Sequence, residues 1–255
     1  MIDNNDSIYV FLSHSHHDYD KVSRLRNLLE EEGFKPLMFF LKAFENPKYE
    51  HLLEPIIKEE IDQRQRFILC RSENTKDSKW VKFEEDYIKS KNRAYEIVDL
   101  ESPIDVQQSA IRNYRKRTRV FISYQRSLSL NISILHSKLK ERGFVPFVDS
   151  LDIMLGERII DTIVSNIEKA ANDGYILYLI NSDSRSDWED RELLYALEFS
   201  ARIVPIWVKG EELNYKTVFL LRDKTILDVR NLPQDEQVCR IVQHLVDYDL
   251  QFNEE

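Results

Sequence analysis

The sequence predicts an α/β architecture used twice: two domains, each a parallel sheet with helices on both faces. Three observations carry this expectation. First, the chain repeats itself. VFLSHS begins at Val10 and VFISYQ at Val120, and Gly33, Phe34 and Pro36 of EEGFKP match Gly143, Phe144 and Pro146 of ERGFVP at the identical interval. Trp80 and Glu84 then match Trp188 and Glu192 at an interval two residues shorter. Second, short apolar runs alternate with helix-period stripes in each copy, the pattern of buried parallel strands covered by helices. Third, 255 residues, 42% hydrophobic and 32% charged, give the length of two ordinary domains and the composition of a globular protein.

The first copy, residues 1–100, opens with the apolar run Ile8–Leu12, fit for a buried strand. Val22, Leu25 and Leu29 make a helical stripe that stops at Gly33, a residue that ends helices because it adopts the left-handed conformation without strain. Strands are expected at Leu37–Phe40, Phe67–Cys70 and Tyr95–Val98. Residues 101–118 read as a linker helix, with Ser102 as its cap, Pro103 in the first position and Asp105 completing a capping-box-like start. The second copy, residues 119–255, repeats the order. It has a strand at Val120–Ser123, a helix through Ile132, Leu135 and Leu139 stopping at Gly143, and strands at Val145–Val148, Tyr175–Ile180 and Ile203–Val208. It adds a fifth strand, Thr225–Val229, and a closing helix through Val238, Ile241, Leu245 and Val246.

Composition narrows the function classes. A formal charge of −9 disfavours nucleic acid, whose phosphates need a basic surface, and the short run YRKRTR at 114–119 reads as a solvated helix end or linker. No apolar run approaches the ~18–20 residues of a membrane span. The start MIDNNDSIYVF has neither the basic head nor the apolar core of a secretory signal. Cys70 and Cys239, far apart and in apolar surroundings, suit reduced thiols, so a cytoplasmic location is expected. The five glycines are too widely spaced to write G-x-G-x-x-G or a Walker A loop anywhere.

Open sheets of this kind bind ligands outside the carboxyl ends of their strands. That directs attention to Ser13–His17, Ser123–Gln125, the loops after the second strands, and Glu84 and Glu192 after the third. A phosphoacceptor domain would need an aspartate ending the third strand, where Cys70-Arg71 and Ile180-Asn181 stand instead. His14, His16 and His17 have no Cys/His partner at ligand spacing, so no metal is expected. A serine hydrolase would want G-x-S-x-G, which the glycines forbid. The carboxylate remains. In WVKFEEDYIK, residues 80–89, Trp80, Phe83, Tyr87 and Ile88 share one helix face, and Glu84 falls in the middle of it. An unpaired buried carboxylate costs several kcal/mol. One copy alone is met by a buried ion pair or a position at the rim of the stripe. In WEDRELLYALEF, however, Glu192 again lies four residues after Trp188 while the rest of the helix has drifted, which points to a role for the pair.

These residues together resemble the TIR domain: VFISY and VFLSHSHHD, a helix ending in G-F-x-P, W-x-x-x-E opening the third helix, and VDSLDIMLGERIIDTIVSNIEKA, which is similar to the family's BB loop. The whole is similar to bacterial tandem TIR proteins, and SKWVKFE to signal-producing TIR domains of antiphage defence. The resemblance implies two flavodoxin-like domains. It also implies cleavage of NAD+, as substrate and not as cofactor, at the nicotinamide–ribose bond, with Glu192 and Glu84 catalytic. Ser123, Tyr124, Asp149, Trp188, Ser13, His14 and Trp80 are the implied substrate-binding residues. Nicotinamide is already cationic and leaves without a general acid, while the ribose carbon gains oxocarbenium charge that a nearby carboxylate stabilises. Water would then give ADP-ribose, and the adenine of the same molecule a cyclic product. On this reading Glu84 points into a cleft and is not buried. The implied partners are NAD+, other TIR domains through self-association at the BB-loop-like segment Asp149–Glu157, and a downstream effector that senses a nucleotide signal.

The copies depart from the family pattern in different places. FFLKAFENPKYEHLL in the first lacks a glycine where the second has Gly156, and SYQRSLSLN in the second lacks the acidic residue that SHSHHD carries as Asp18. One copy could be catalytic and the other a scaffold, or a site could be shared, since TIR sites are often finished by a neighbour's BB loop. The LDIMLGERI turn and the fifth strand favour Glu192 over Glu84. Two other classes stay open: a non-enzymatic TIR–TIR adaptor, and a nucleoside-processing transferase that also acts on a glycosidic bond.

Overall fold

The computed structural model describes residues 8–38, 50–153, 159–183 and 187–251. They belong to two compact units, one of Met1–Arg115 with Val246–Glu255 and one of Lys116–Leu245.

In the first unit the order is β1 (Ile8–Ser13), α1 (Tyr19–Glu31), β2 (Phe34–Met38), α2 (Glu50–Asp62), β3 (Arg66–Arg71), α3 (Glu73–Lys76), α4 (Lys79–Ser90), β4 (Tyr95–Asp99) and α5 (Ile104–Lys116). The strands pair in parallel as β2-β1-β3-β4. The expected stripe of α1 is the buried one: Val22, Leu25 and Leu29 are inaccessible, and the chain leaves the helix through Gly33 at φ 81°. β2 begins at Phe34, earlier than the expected Leu37, because its ladder to β1 starts at Ile8 opposite Phe34. Phe39 and Phe40 lie outside the described residues. As an edge strand β2 tolerates Pro36, which has no N–H to donate. Phe11, Ile57, Phe67, Leu69 and Ile88 form the core on one face of the sheet. Tyr114 of α5 is fully buried, and its hydroxyl donates to the Ala94 carbonyl at 3.0 Å. Arg66, also fully buried, is paired at 2.7 Å with Asp249. The linker helix starts differently from the expected cap. The Ser102 hydroxyl donates to Asp99 O at 2.7 Å, and the first carbonyl to receive helical N–H groups is that of Pro103.

In the second unit the order is β5 (Arg119–Ser123), α6 (Ile132–Glu141), β6 (Val145–Phe147), α7 (Asp149–Asp152), α8 (Ile159–Asp173), β7 (Tyr175–Asn181), α9 (Asp187–Glu198), β8 (Ile203–Lys209), α10 (Tyr215–Leu220), β9 (Leu227–Asp228) and α11 (Gln234–Leu250). The last residues of α11 fall in the first unit. The sheet is parallel, in the order β6-β5-β7-β8-β9. Gly143 ends α6 at φ 78°, as Gly33 ends α1, and Pro146 again sits on the edge strand. The fifth strand exists but pairs over two residues, shorter than the expected Thr225–Val229. Its counterpart is missing from the four-stranded sheet of the first unit, among the described residues. Both sheets have the flavodoxin-like order, in which the direction of winding reverses between the first and third strands of the unit. A crevice for ligands is expected there, at the carboxyl ends of β1 and β3 and of β5 and β7.

Candidate active site

Ser13 is the last residue of β1, beside Leu69 of β3, and is fully buried. Its hydroxyl donates to Glu84 Oε2 at 2.6 Å. The second unit reproduces the arrangement: Ser123 ends β5 beside Tyr178 of β7, and its hydroxyl donates to Glu192 Oε2 at 2.6 Å. The helix carrying each glutamate follows the third strand, so each carboxylate is drawn back over the sheet end at the reversal point. Two copies that have diverged in most positions keep one serine–glutamate bond. Sequence reasoning placed all four residues at the site but did not pair them. The signal was present, since both serines end the repeated first-strand motif.

The surroundings correct one expectation. Glu84 does not open into a cleft: it is 8% exposed, and Glu192 is 9% exposed. Burial pushes the Glu84 carboxyl up to about 8, against the opposing pull of the Ser13 hydrogen bond. This favours the protonated form of Glu84 near neutral pH. Burial, with the charge of Asp18, raises the Cys70 thiol far above the ordinary range. Burial also keeps the His14 imidazole neutral at pH 7, with Nδ1 2.8 Å from Leu12 O. Asp18, 2% exposed, receives the Ser72 hydroxyl at 2.6 Å and the Asn74 amide at 2.8 Å, tying the loop after β1 to the loop after β3. Trp80 packs against the Phe11 core and meets Phe83 edge-on at 6.0 Å.

In the second unit the loop after β5 meets the turn after β6. The Tyr124 hydroxyl lies 2.6 Å from Ser150 Oγ, and Arg126 is 3.5 Å from Asp149. Tyr124 and Asp149 are thus brought to one rim of the sheet end, next to Ser123. The Trp188 side chain, and Gly156 and Glu157 of the BB-loop-like segment, lie outside the described residues. Sequence reasoning pointed to the loop that carries Gln125 but missed its buried partner Glu189, which Gln125 hydrogen-bonds.

The family profile for the TIR domain matches residues 10–113 and 120–242, both copies of the repeat. The chain belongs to the TIR domain family. Two curated relatives are similar to part of it. One is the NAD(+) hydrolase tir-1 of Caenorhabditis elegans, 30% identical over 112 residues, covering 41% of this chain and 11% of the relative. The other is the NAD(+) hydrolase sarm1 of Drosophila melanogaster, 32% identical over 107 residues, covering 38% of this chain and 8% of the relative. The chain therefore spans about a tenth of the length of the curated relatives it matches. Among solved structures, the TIR domain of the Toll-related receptor TRR-2 from Hydra magnipapillata is 22% identical with a TM-score of 0.37, covering 52% of this chain and 97% of that one. In TIR terms the two W-x-x-x-E motifs are Trp80–Glu84 on α4 and Trp188–Glu192 on α9. No helix among the described residues is long and apolar enough to cross a membrane.

Proposed function

We propose that this TIR protein is an NAD+ glycohydrolase or cyclase that cleaves the nicotinamide–ribose bond, with Glu192 as the principal catalytic carboxylate and Glu84 as its counterpart. The observation that carries the reading is the serine–glutamate bond repeated in both copies at the sheet's reversal point. The NAD(+) hydrolase names of the partial relatives support it. The serine hydroxyl fixes one carboxylate oxygen, and nine-tenths burial excludes most water, so charge near the ribose carbon is stabilised more strongly than it would be in solution. The cationic nicotinamide leaves as a neutral base. Ser123, Tyr124, Asp149 and Trp188 in the second copy, and Ser13, His14 and Trp80 in the first, are the proposed substrate contacts. NAD+ is substrate, with no further cofactor. The product is ADP-ribose or a cyclic form of it, read by a downstream effector in bacterial immunity. We place the protein in the cytoplasm and expect TIR–TIR self-association to control it.

The test is a substrate panel. Purified protein at high concentration is incubated with NAD+, with free nucleosides, and with neither, and free bases are quantified by chromatography. Nicotinamide released from NAD+ but no base released from nucleosides is expected. Release from nucleosides alone identifies a nucleoside-processing transferase. Release from neither, with assembly intact, identifies an adaptor.

A further inference from the structure

The second unit buries a carboxylate for which neither the fold nor the glutamate–serine pair has a use. Glu189 lies one turn before Glu192 on α9, so the two side chains share a face with Cβ atoms about 5–6 Å apart. It is 8% exposed, and its Oε1 is buried with no hydrogen-bond partner among the described residues. The Gln125 amide, from the loop after β5, bonds the carboxyl and leaves that oxygen unmatched. Buried carboxylate oxygens without a donor are rare because each forfeits its hydration. One placed at the sheet end beside Glu192 is matched when a ligand brings the donor. The first copy has Val81 at the corresponding position, three residues before Glu84. The feature therefore belongs to one copy and is not part of what the fold requires.

We propose that Glu189 is a second working carboxylate of the Glu192 site, accepting the proton of the water that attacks the ribose carbon. This rests on the NAD+ reading above. As the carbon–nitrogen bond breaks, its electron pair leaves with nicotinamide. The water oxygen bonds to the ribose carbon, one water proton passes to Glu189 Oε1, and Glu189 later returns it to solvent. NAD+ and water thus become nicotinamide, ADP-ribose and one proton. Division of labour between two carboxylates, one for the oxocarbenium charge and one for the water, has a physical logic. A single group that stabilises positive charge must stay ionised throughout and cannot also hold the proton.

The surroundings suit a base working near neutrality. Burial, with the charges of Glu192 and Asp190 on the same helix, pushes Glu189 up to about 7 against the pull of the Gln125 amide. Asp190 is itself held by Lys216 at 2.5 Å, from α10. The base form accumulates as pH rises through 7, so turnover by this site rises with it.

The experiment uses the full chain and single-turnover nicotinamide release from NAD+ between pH 5.5 and 8.5, with and without sodium azide. Azide attacks carbon without a proton to lose. Glu189→Gln is expected to slow release roughly a hundredfold at pH 7.5, to flatten the rise near pH 7, and to regain rate with azide. Glu192→Gln is expected to be slow with or without azide. Glu189→Val, which installs the first copy's residue, serves as a second variant, and circular dichroism confirms folding. A wild-type rate and pH profile in either folded variant overturns the assignment. So does a slow variant that azide does not rescue and whose pH limb persists, since that is the behaviour of a structural residue. If neither variant folds, a wild-type profile with no rise near pH 7 overturns it and a rise that survives in Glu84→Gln supports it. Wild-type protein that releases no nicotinamide removes the NAD+ reading itself, and this proposal with it.

Discussion

Glu84 is a carboxyl that the fold keeps at some expense to its own stability. In the folded chain it titrates near 8, while an unfolded glutamate titrates near 4.5. Because the folded form binds the proton more tightly, stability is greatest below the unfolded value and falls as pH rises from about 4.5 through 8. Glutamine keeps the size and the Ser13 contact but cannot ionise. Glu84→Gln is therefore predicted to be more stable than wild type by roughly 2–5 kcal/mol at pH 8, with the difference shrinking toward zero near pH 4.5. Denaturant unfolding at the two pH values checks this, and a difference independent of pH contradicts it. Ser123→Ala is the complementary test. It leaves Glu192 with a lost donor at 2.6 Å, so nicotinamide release should fall about tenfold or more while the protein stays folded.

At the scale of elements, much of the architecture was legible because apolar runs and stop signals are local. Val22, Leu25 and Leu29 marked α1, and Gly33 and Gly143 marked the ends of two helices at positive φ. Where strand limits moved, pairing decided. β2 starts where β1 can meet it, and β9 is as long as its short ladder to β8. The cap expected from Ser102 is not used: the helix begins at the Pro103 carbonyl, and the Ser102 hydroxyl donates to the Asp99 carbonyl in the turn before it, a placement that depends on that turn and not on the residue types around it. The site was legible as two glutamates in apolar stripes. Their burial was not, nor was the serine that holds each, because both depend on what stands across the sheet end. Asp18 shows the same limit. Sequence singled it out as an acidic residue missing from the second copy, and only tertiary structure joins it to Ser72 and Asn74. Since two charge-assisted bonds close that loop, Asp18→Ala should destabilise the first unit by about 2–3 kcal/mol. Thermal unfolding measures it. An unchanged melting temperature would show the latch to be idle.

At the scale of the whole molecule, each unit has its own sheet, core and serine–glutamate pair, but their equipment differs. The second has β9, Gln125 and Glu189, and the first has the Asp18 latch and a neutral His14. Unequal copies of one domain suit a division between a working site and a supporting one. If TIR–TIR contacts through the Asp149–Glu157 segment control activity, nicotinamide released per molecule should fall on dilution in step with loss of oligomer. Activity constant over a wide dilution range, with no oligomer at any concentration, would contradict this.

The most direct measurement compares nicotinamide release from NAD+ by wild type, Glu192→Gln and Glu84→Gln, each shown by circular dichroism to be folded. If the Glu192 charge supplies ~3–4 kcal/mol of transition-state stabilisation, its loss should lower the rate by roughly two to three orders of magnitude, and loss of Glu84 should lower it less. A folded Glu192→Gln protein that turns over NAD+ at the wild-type rate contradicts the assignment, and loss confined to Glu84→Gln moves the active site to the first copy.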